Sequence, residues 1–268
     1  MSYVLNGRLR ARCSADVVEP VANQTVLIYW VPEGEVGDFT VRPHDEARAR
    51  EYLLLAQGRT DPEGNFGIQI GRDTLFGHRG STREYAGGPL QIEVYHRGAG
   101  GETEPAQFSV GQIQPAWSGT GDQQNAHYEE VISAAHWARV KTALDEWTIV
   151  GTVRRTDGAP ASGYHVFAYD ADPVHDDFLG SIQTSGDGTF RLDYKGSDFR
   201  PTPIAGLDIE RGGPELYFHV QDADGSVVYE EPSSRGAQSD RARSPNWVHV
   251  ELKVQGPGIT PSIPTPAN

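Results

Sequence analysis

Residues 184–190 read TSGDGTF, and residues 60–66 read TDPEGNF. Both follow a short apolar run, and both place glycine shortly before a phenylalanine. Asp, Gly and Pro at these positions predict a tight hairpin turn. Gly64 in the first version, and Gly186 and Gly188 in the second, are read as supplying backbone angles that other residues resist. The phenylalanines that follow, Phe66 and Phe190, are then expected to enter a core.

Working outward, the similarity extends along both flanks. VLNGRLRA (4–11) matches IVGTVRRT (149–156), and VANQTVLIYW (21–30) matches ASGYHVFAYD (161–170). GGPLQIEVYHRGAG (87–100) matches GGPELYFHVQDADG (212–225). The later pairs keep register, with Thr60 to Thr184 124 positions apart and Gly87 to Gly212 125. Self-similarity at a fixed offset means a duplicated unit, and the period is too long for a solenoid.

Each unit reads as short alternating strands. In TFRLDY, Phe190, Leu192 and Tyr194 share one face, and Arg191 and Asp193 the other. In LYFHV, Leu216, Phe218 and Val220 face one way while Tyr217 and His219 face the other. WVHVELKV alternates likewise, with His249 outward. One apolar face per strand needs a second sheet to cover it, which predicts antiparallel β-sandwiches. The expected class is therefore all-β: two tandem sandwiches of Greek-key type joined by one α-helix. The predicted divisions are 1–118, a helical linker 119–146, 147–255, and a Pro-rich tail 256–268. Within the linker, Tyr128, Val131, Ile132, Ala135, Trp137, Val140 and Leu144 recur at helical spacing over Ala126–Leu144. Trp147 is expected to anchor on the second sandwich.

The second half carries Val150, Gly151, Val153, Gly158, Pro160, Ala161, Gly163, Val166, Ala168, Leu179, Gly180, Thr184, Asp187, Gly188 and Phe190 in a pattern that resembles the transthyretin-like, carboxypeptidase regulatory-like sandwich family. The first half matches more weakly and has an insertion-like stretch, VPEGEVGDFTVRPHDEARAREY, between Tyr29 and Asp61. The resemblance implies a sandwich fold and a non-catalytic regulatory-like module. One enzyme branch of the fold, the 5-hydroxyisourate hydrolases, ends in Tyr-Arg-Gly-Ser. This chain ends in Thr-Pro-Ala-Asn, and its internal Ser234-Arg235-Gly236 lacks the tyrosine, so that activity is not implied. Intradiol dioxygenases, also similar, need two tyrosines and two histidines on one iron, a set the sequence does not display.

Composition narrows the chemistry. The formal charge of −14 lacks the basic excess of a duplex nucleic-acid binder and disfavours anionic membranes. It suits docking on a basic partner. No apolar run has bilayer-spanning length, and the N-terminal residues read as a strand rather than a signal peptide. Cytoplasmic synthesis is expected, with a place in an exported or particle-associated assembly as the context. Cys13 is the single cysteine, so an intramolecular disulfide is impossible. The nine histidines form no metal-ligand motif. There is no G-x-S-x-G elbow or P-loop, and GAGGET (98–103) reads as a hairpin loop.

The acidic loops are the sharpest candidate site. YDADPVHDDFLG (169–180) gathers Asp170, Asp172, Asp176 and Asp177, and VQDADG adds Asp222 and Asp224. Ca²⁺ takes six to eight oxygen ligands from such loops, while aspartate is also an ordinary turn former. The primary functional expectation is a non-catalytic structural or adhesive module with protein partners or assembly neighbours. The alternatives are a calcium-dependent carbohydrate or surface binder, and an enzyme with Asp177, His175 or Asp222 as acid or base in a groove between the domains. Trp30, Trp117, Trp137, Trp147 and Trp247 are read as core residues in preference to a sugar platform.

Overall fold

The computed structural model describes residues 1–32, 37–42, 44–71, 75–76, 83–96, 106–172, 175–199 and 212–255. The Pro-rich tail and the glycine-rich stretch at 98–103 lie outside the described residues. The chain divides into two compact units, Met1–Asp145 and Glu146–Asn268. Both are all-β with few helices.

In the first unit the strands are β1 (Ser2–Arg12), β2 (Val18–Pro20), β3 (Thr25–Trp30) and β4 (Val41–Arg42). After a short helix, α1 (His44–Arg48), come β5 (Leu54–Arg59), β6 (Asn65–Ile70), β7 (Leu75–Phe76) and β8 (Arg83–Glu84). β9 (Leu90–His96), β10 (Ala106–Ile113) and β11 (Gln123–Ile132) follow, then helix α2 (Ala134–Ala143). One sheet runs β11-β1-β2 with β6 also paired to β1, and the other runs β4-β10-β9-β3-β5. The core between them holds Leu5, Leu9, Ile28, Phe66, Ile68, Ile92 and Phe108.

The second unit has β12 (Glu146–Arg155), β13 (His165–Asp170), β14 (Asp177–Gln183) and β15 (Thr189–Lys195). β16 (Leu216–Gln221), β17 (Val227–Glu230) and β18 (Trp247–Val254) complete it. Its sheets run β15-β12-β18 and β14-β13-β16-β17. Its core holds Trp147, Ile149, Val153, Val166, Phe190, Phe218 and Leu252. The turns at 60–66 and 184–190, expected as hairpins, are tight turns that carry the chain from one sheet to the other: β5 pairs with β3 and β6 with β1, and β14 pairs with β13 and β15 with β12. Gly64 and Gly188 have φ of +82° and +79°, where a side chain is strained. Gly186 does not have positive φ. Asp61 and Asp187 lock the turns by accepting the backbone N–H of Asn65 and of Thr189.

The duplication is more complete than sequence similarity shows. β12 pairs in parallel with β18, with Gly151 opposite Val250, and antiparallel with β15, with Gly151 opposite Phe190. β1 pairs in parallel with β11, with Gly7 opposite Tyr128, and antiparallel with β6, with Gly7 opposite Phe66. β11 is therefore the counterpart of β18. The helix expected over Ala126–Leu144 is confined to Ala134–Ala143, capped by the Ser133 hydroxyl accepting from the N–H of His136. The preceding residues gave a helical pattern because Tyr128, Val131 and Ile132 coincide with period 3.6. Their actual period is two: Ala126 and Ile132 are buried while His127 and Glu129 point away. α2 buries Trp137 and Val140, and its C-cap Leu144, in the first core, and Trp147 lies in the second, edge-on to Phe199 at 4.9 Å.

At Gly151, an added Cβ would lie 2.5 Å from the Val250 carbonyl and 2.6 Å from the Phe190 ring. Gly151→Ala is expected to cost about 2 kcal/mol through overpacking and to lower the thermal midpoint by several degrees. Gly88→Ala, with open space around its Cβ position, should leave the midpoint unchanged in the same calorimetric scan.

Candidate functional site

Alternation along β13 sends Val166, Ala168 and Asp170 inward and Phe167 and Tyr169 outward. The outward residues meet aromatic neighbours on both adjacent strands. Register places Phe178 of β14 and Tyr217 of β16 on either side of Tyr169, and His219 beside Phe167. The Tyr169 and Tyr217 rings stack at 5.1 Å, and Phe178 and His219 lie 5.4 and 4.9 Å from Tyr169. Phe178 is 53% exposed, and Phe167, Tyr169 and His219 are half-buried. A β-bulge between Ala168 and Tyr169 brings Phe178 into this row. The result is an aromatic face on the outside of the second sandwich.

Acidic groups rim it. The Tyr217 hydroxyl donates to Asp176 Oδ2 at 2.7 Å, and the backbone N–H of Asp172 donates to Asp176 Oδ1 at 3.1 Å. Burial, reinforced by that hydrogen bond, pushes the Tyr217 phenol above its ordinary range. Asp177 is shifted upward by burial and by the neighbouring Asp172 charge. At the other edge of the face, Glu230 Oε1 stands 3.9 Å from His219 Nε2. Asp170 points inward and accepts from the N–H of Glu215. Burial, with the nearby Asp172 and Asp177 charges, raises its pKa to about 6 despite that hydrogen bond.

The structure separates the six aspartates proposed from sequence. Asp170 pairs with Leu216 at one end of β13, while His165 at the other end pairs with Gln221. Asp222 and Asp224 leave β16 beyond Gln221, so they lie at the opposite end from Asp170, Asp172, Asp176 and Asp177. Five residues of strand separate the two groups by about 17 Å, too far for the six to ligate one ion. Asp222 Oδ1 instead accepts from the N–H groups of Asp224 and Ser226, an Asx turn. Among the described residues no three His, Cys, Asp or Glu side chains converge as a metal site would require. His175 is exposed on the acidic loop, and His165 and His249 lie on strand surfaces. The Ser234-Arg235-Gly236 stretch is structural: Arg235 makes a two-pronged pair with Asp240.

The aromatic face was only half legible. Alternation placed Tyr217 and His219 outward, but Phe167, Tyr169 and Phe178 join them only through strand register and a bulge.

The same face in the first unit is covered. Equivalent register puts Tyr29 opposite Gln91 and Leu54, and Leu27 opposite Glu93. Tyr29, Leu27 and Leu53 form a separate buried cluster. Glu93 is fully buried, receiving Arg50 at 2.6 Å and Arg42 at 3.4 Å, and Gln107 donates to its other oxygen at 2.6 Å. The Arg50 guanidinium lies 5.5 Å from the Tyr29 ring centre. Burial raises the Tyr29 phenol pKa. Arg42 and Arg50 belong to the insertion noted in the sequence and Leu53 follows it directly, so this segment acts as a built-in cover.

No protein-family model matches the chain, and no curated protein matches it. Among solved structures, it is similar to the shaft pilin SpaA of Lactobacillus rhamnosus GG, with 10% identity over 95% of this chain and 98% of that one, at a TM-score of 0.36. It is similar to the minor pilin GBS52 of Streptococcus agalactiae, with 10% identity over 99% and 100% of the two chains, at a TM-score of 0.27. It also matches a 9R-lipoxygenase from Cyanothece, with 15% identity and a TM-score of 0.27, over 50% of this chain but only 16% of the lipoxygenase. Likeness at this level assigns neither a family nor a role.

Asp170 supplies a pH test. Its carboxyl binds its proton more tightly folded than unfolded, so the stability it contributes is present below about pH 4 and lost as pH rises through about 6. The second unit should therefore lose stability on the order of 2 kcal/mol across that window. Chemical denaturation at stepped pH should show this slope in the wild type and a flattened one in Asp170→Asn.

Proposed function

We propose that this chain is a non-catalytic binding and assembly module that engages a protein partner through the aromatic face of its second sandwich. The observation that carries this reading is the Phe167–Tyr169–Phe178–His219 surface, with Phe178 53% exposed on a sheet whose other side is a closed core. Exposed contiguous aromatics lose free energy when a partner covers them. Aromatic centres with a polar rim are the usual anatomy of a protein contact, and here Asp176, Asp177 and Glu230 form the rim. The sheet is a rigid platform, so little ordering cost falls on this side of the contact. The resemblance of the second half to transthyretin-like, carboxypeptidase regulatory-like modules supports the same reading, because such modules are non-catalytic. A structural or adhesive place in a larger, exported or surface-borne assembly follows from it.

The test is site-specific photo-crosslinking in cells that naturally make the protein. A benzophenone amino acid at position 178 is expected to give one discrete adduct, which Tyr169→Ser should abolish. The same probe at Val18, an exposed residue of the first unit, should give none. Equal adducts from both positions, or none from either, would sink the proposal.

A further inference from the structure

The two units present one face in two states. In the first, the insertion and the residue after it cover the face; in the second, Phe178 is exposed and Phe167, Tyr169 and His219 are half-buried, with Tyr217 buried between them. Tyr29 corresponds to Tyr169, Leu27 to Phe167, Leu54 to Phe178 and Glu93 to His219, by identical pairing and by a bulge at the same place in each. Tyr29 is 3% exposed, whereas Tyr169 is half-buried. The first unit thus displays what fits such a face: a guanidinium over the tyrosine ring, charge-paired to a carboxylate, and an apolar side chain beside it, supplied by Arg50 and Leu53.

We propose that the open face of the second unit receives an arginine-bearing apolar segment of a partner protein, in the manner in which the first unit receives its own Arg50 and Leu53. The inference rests on the reading of this face as the contact surface and adds the chemistry of the occupant. Charge complementarity points the same way: the chain carries −14, and Asp176 and Glu230 stand at opposite edges of the aromatic row. The acceptor differs in position between the units. Glu93 lies within the face of the first, where the second has His219, so an incoming guanidinium over Tyr169 pairs with a flanking carboxylate. Arginine suits this better than lysine, because its flat, weakly hydrated cation stacks on a ring while its edge donates to a carboxylate.

The probe is the capped peptide of residues 47–53, ARAREYL, titrated into the full chain and followed by NMR shifts of the Tyr169 and Phe178 rings. Saturable shifts are expected below about 1 mM. Arg50→Lys in the peptide should weaken binding about fivefold, and Arg50→Gln more than tenfold. Tyr169→Leu in the protein should erase the difference between the Arg and Lys peptides. Phe178→Ser, at an exposed position that folding tolerates, should weaken all three peptides. If the Gln peptide binds as well as the Arg peptide and Phe178→Ser still weakens it, the arginine proposal falls and the contact face stands. If no peptide shifts these rings, or a neutral oligosaccharide shifts them instead, the proposal falls as well.

Discussion

A phenylalanine ring laid across a glycine of the neighbouring strand sets the geometry of each unit. Phe190 lies on Gly151 and Phe66 on Gly7, and in both cases a carbonyl of the parallel strand closes in from the other side. No side chain fits between them. The central strand is therefore gripped by an antiparallel neighbour and a parallel one, β15 and β18 in one unit, β6 and β11 in the other. The turn glycines Gly188 and Gly64 meet the same demand in the sheet-to-sheet turns that precede these phenylalanines, where an added Cβ would strike the carbonyl of Val153 or Leu9. Each turn feeds its phenylalanine onto the glycine, so turn and core specify each other.

With the scaffold fixed this way, the outer face of the second sheet is free to vary, and the two copies have used it differently. The first copy spends its insertion on covering the face. Burying Glu93 there is tolerable only because Arg50, Arg42 and Gln107 satisfy its oxygens. The second copy lacks the insertion, and its corresponding glutamate position is His219, so no buried carboxylate is left stranded. Its outward positions carry larger aromatic rings than the first copy does. Phe167 stands for Leu27, and Tyr217 for Gln91. A face left open by accident would be expected to become more polar; this one is more aromatic, with carboxylates only at its edge. That combination is what relates the bare sheet to binding.

Much of this architecture could be read from the residues. The paired turns, the alternation in TFRLDY and LYFHV, and the offset between the halves identified two similar β-units, because turn chemistry and period-two burial are local, whereas which sheet each strand joins after the turn is not. The last strand of the first unit escaped. Its counterpart alternates Val248, Val250, Leu252 and Val254, whereas Ala126, Tyr128, Glu130 and Ile132 dilute the same pattern with a glutamate and a half-buried tyrosine. Local periodicity then favoured a helix that begins only at Ala134.

The acidic loops show the same limit. Sequence counts aspartates but not which end of a strand they occupy. Antiparallel pairing of β13 with β16 sends Asp222 and Asp224 away from Asp170 and its neighbours. Composition and turn chemistry determined that the chain is an acidic, duplicated β-protein, since those properties depend only on residue type and near neighbours. Strand register, one bulge and the covering segment of the first unit, which has no counterpart among the described residues of the second, decided that Phe167, Tyr169 and Phe178 form a face and that their counterparts are hidden. Those relations join residues far apart in the chain, and only the folded backbone brings them together.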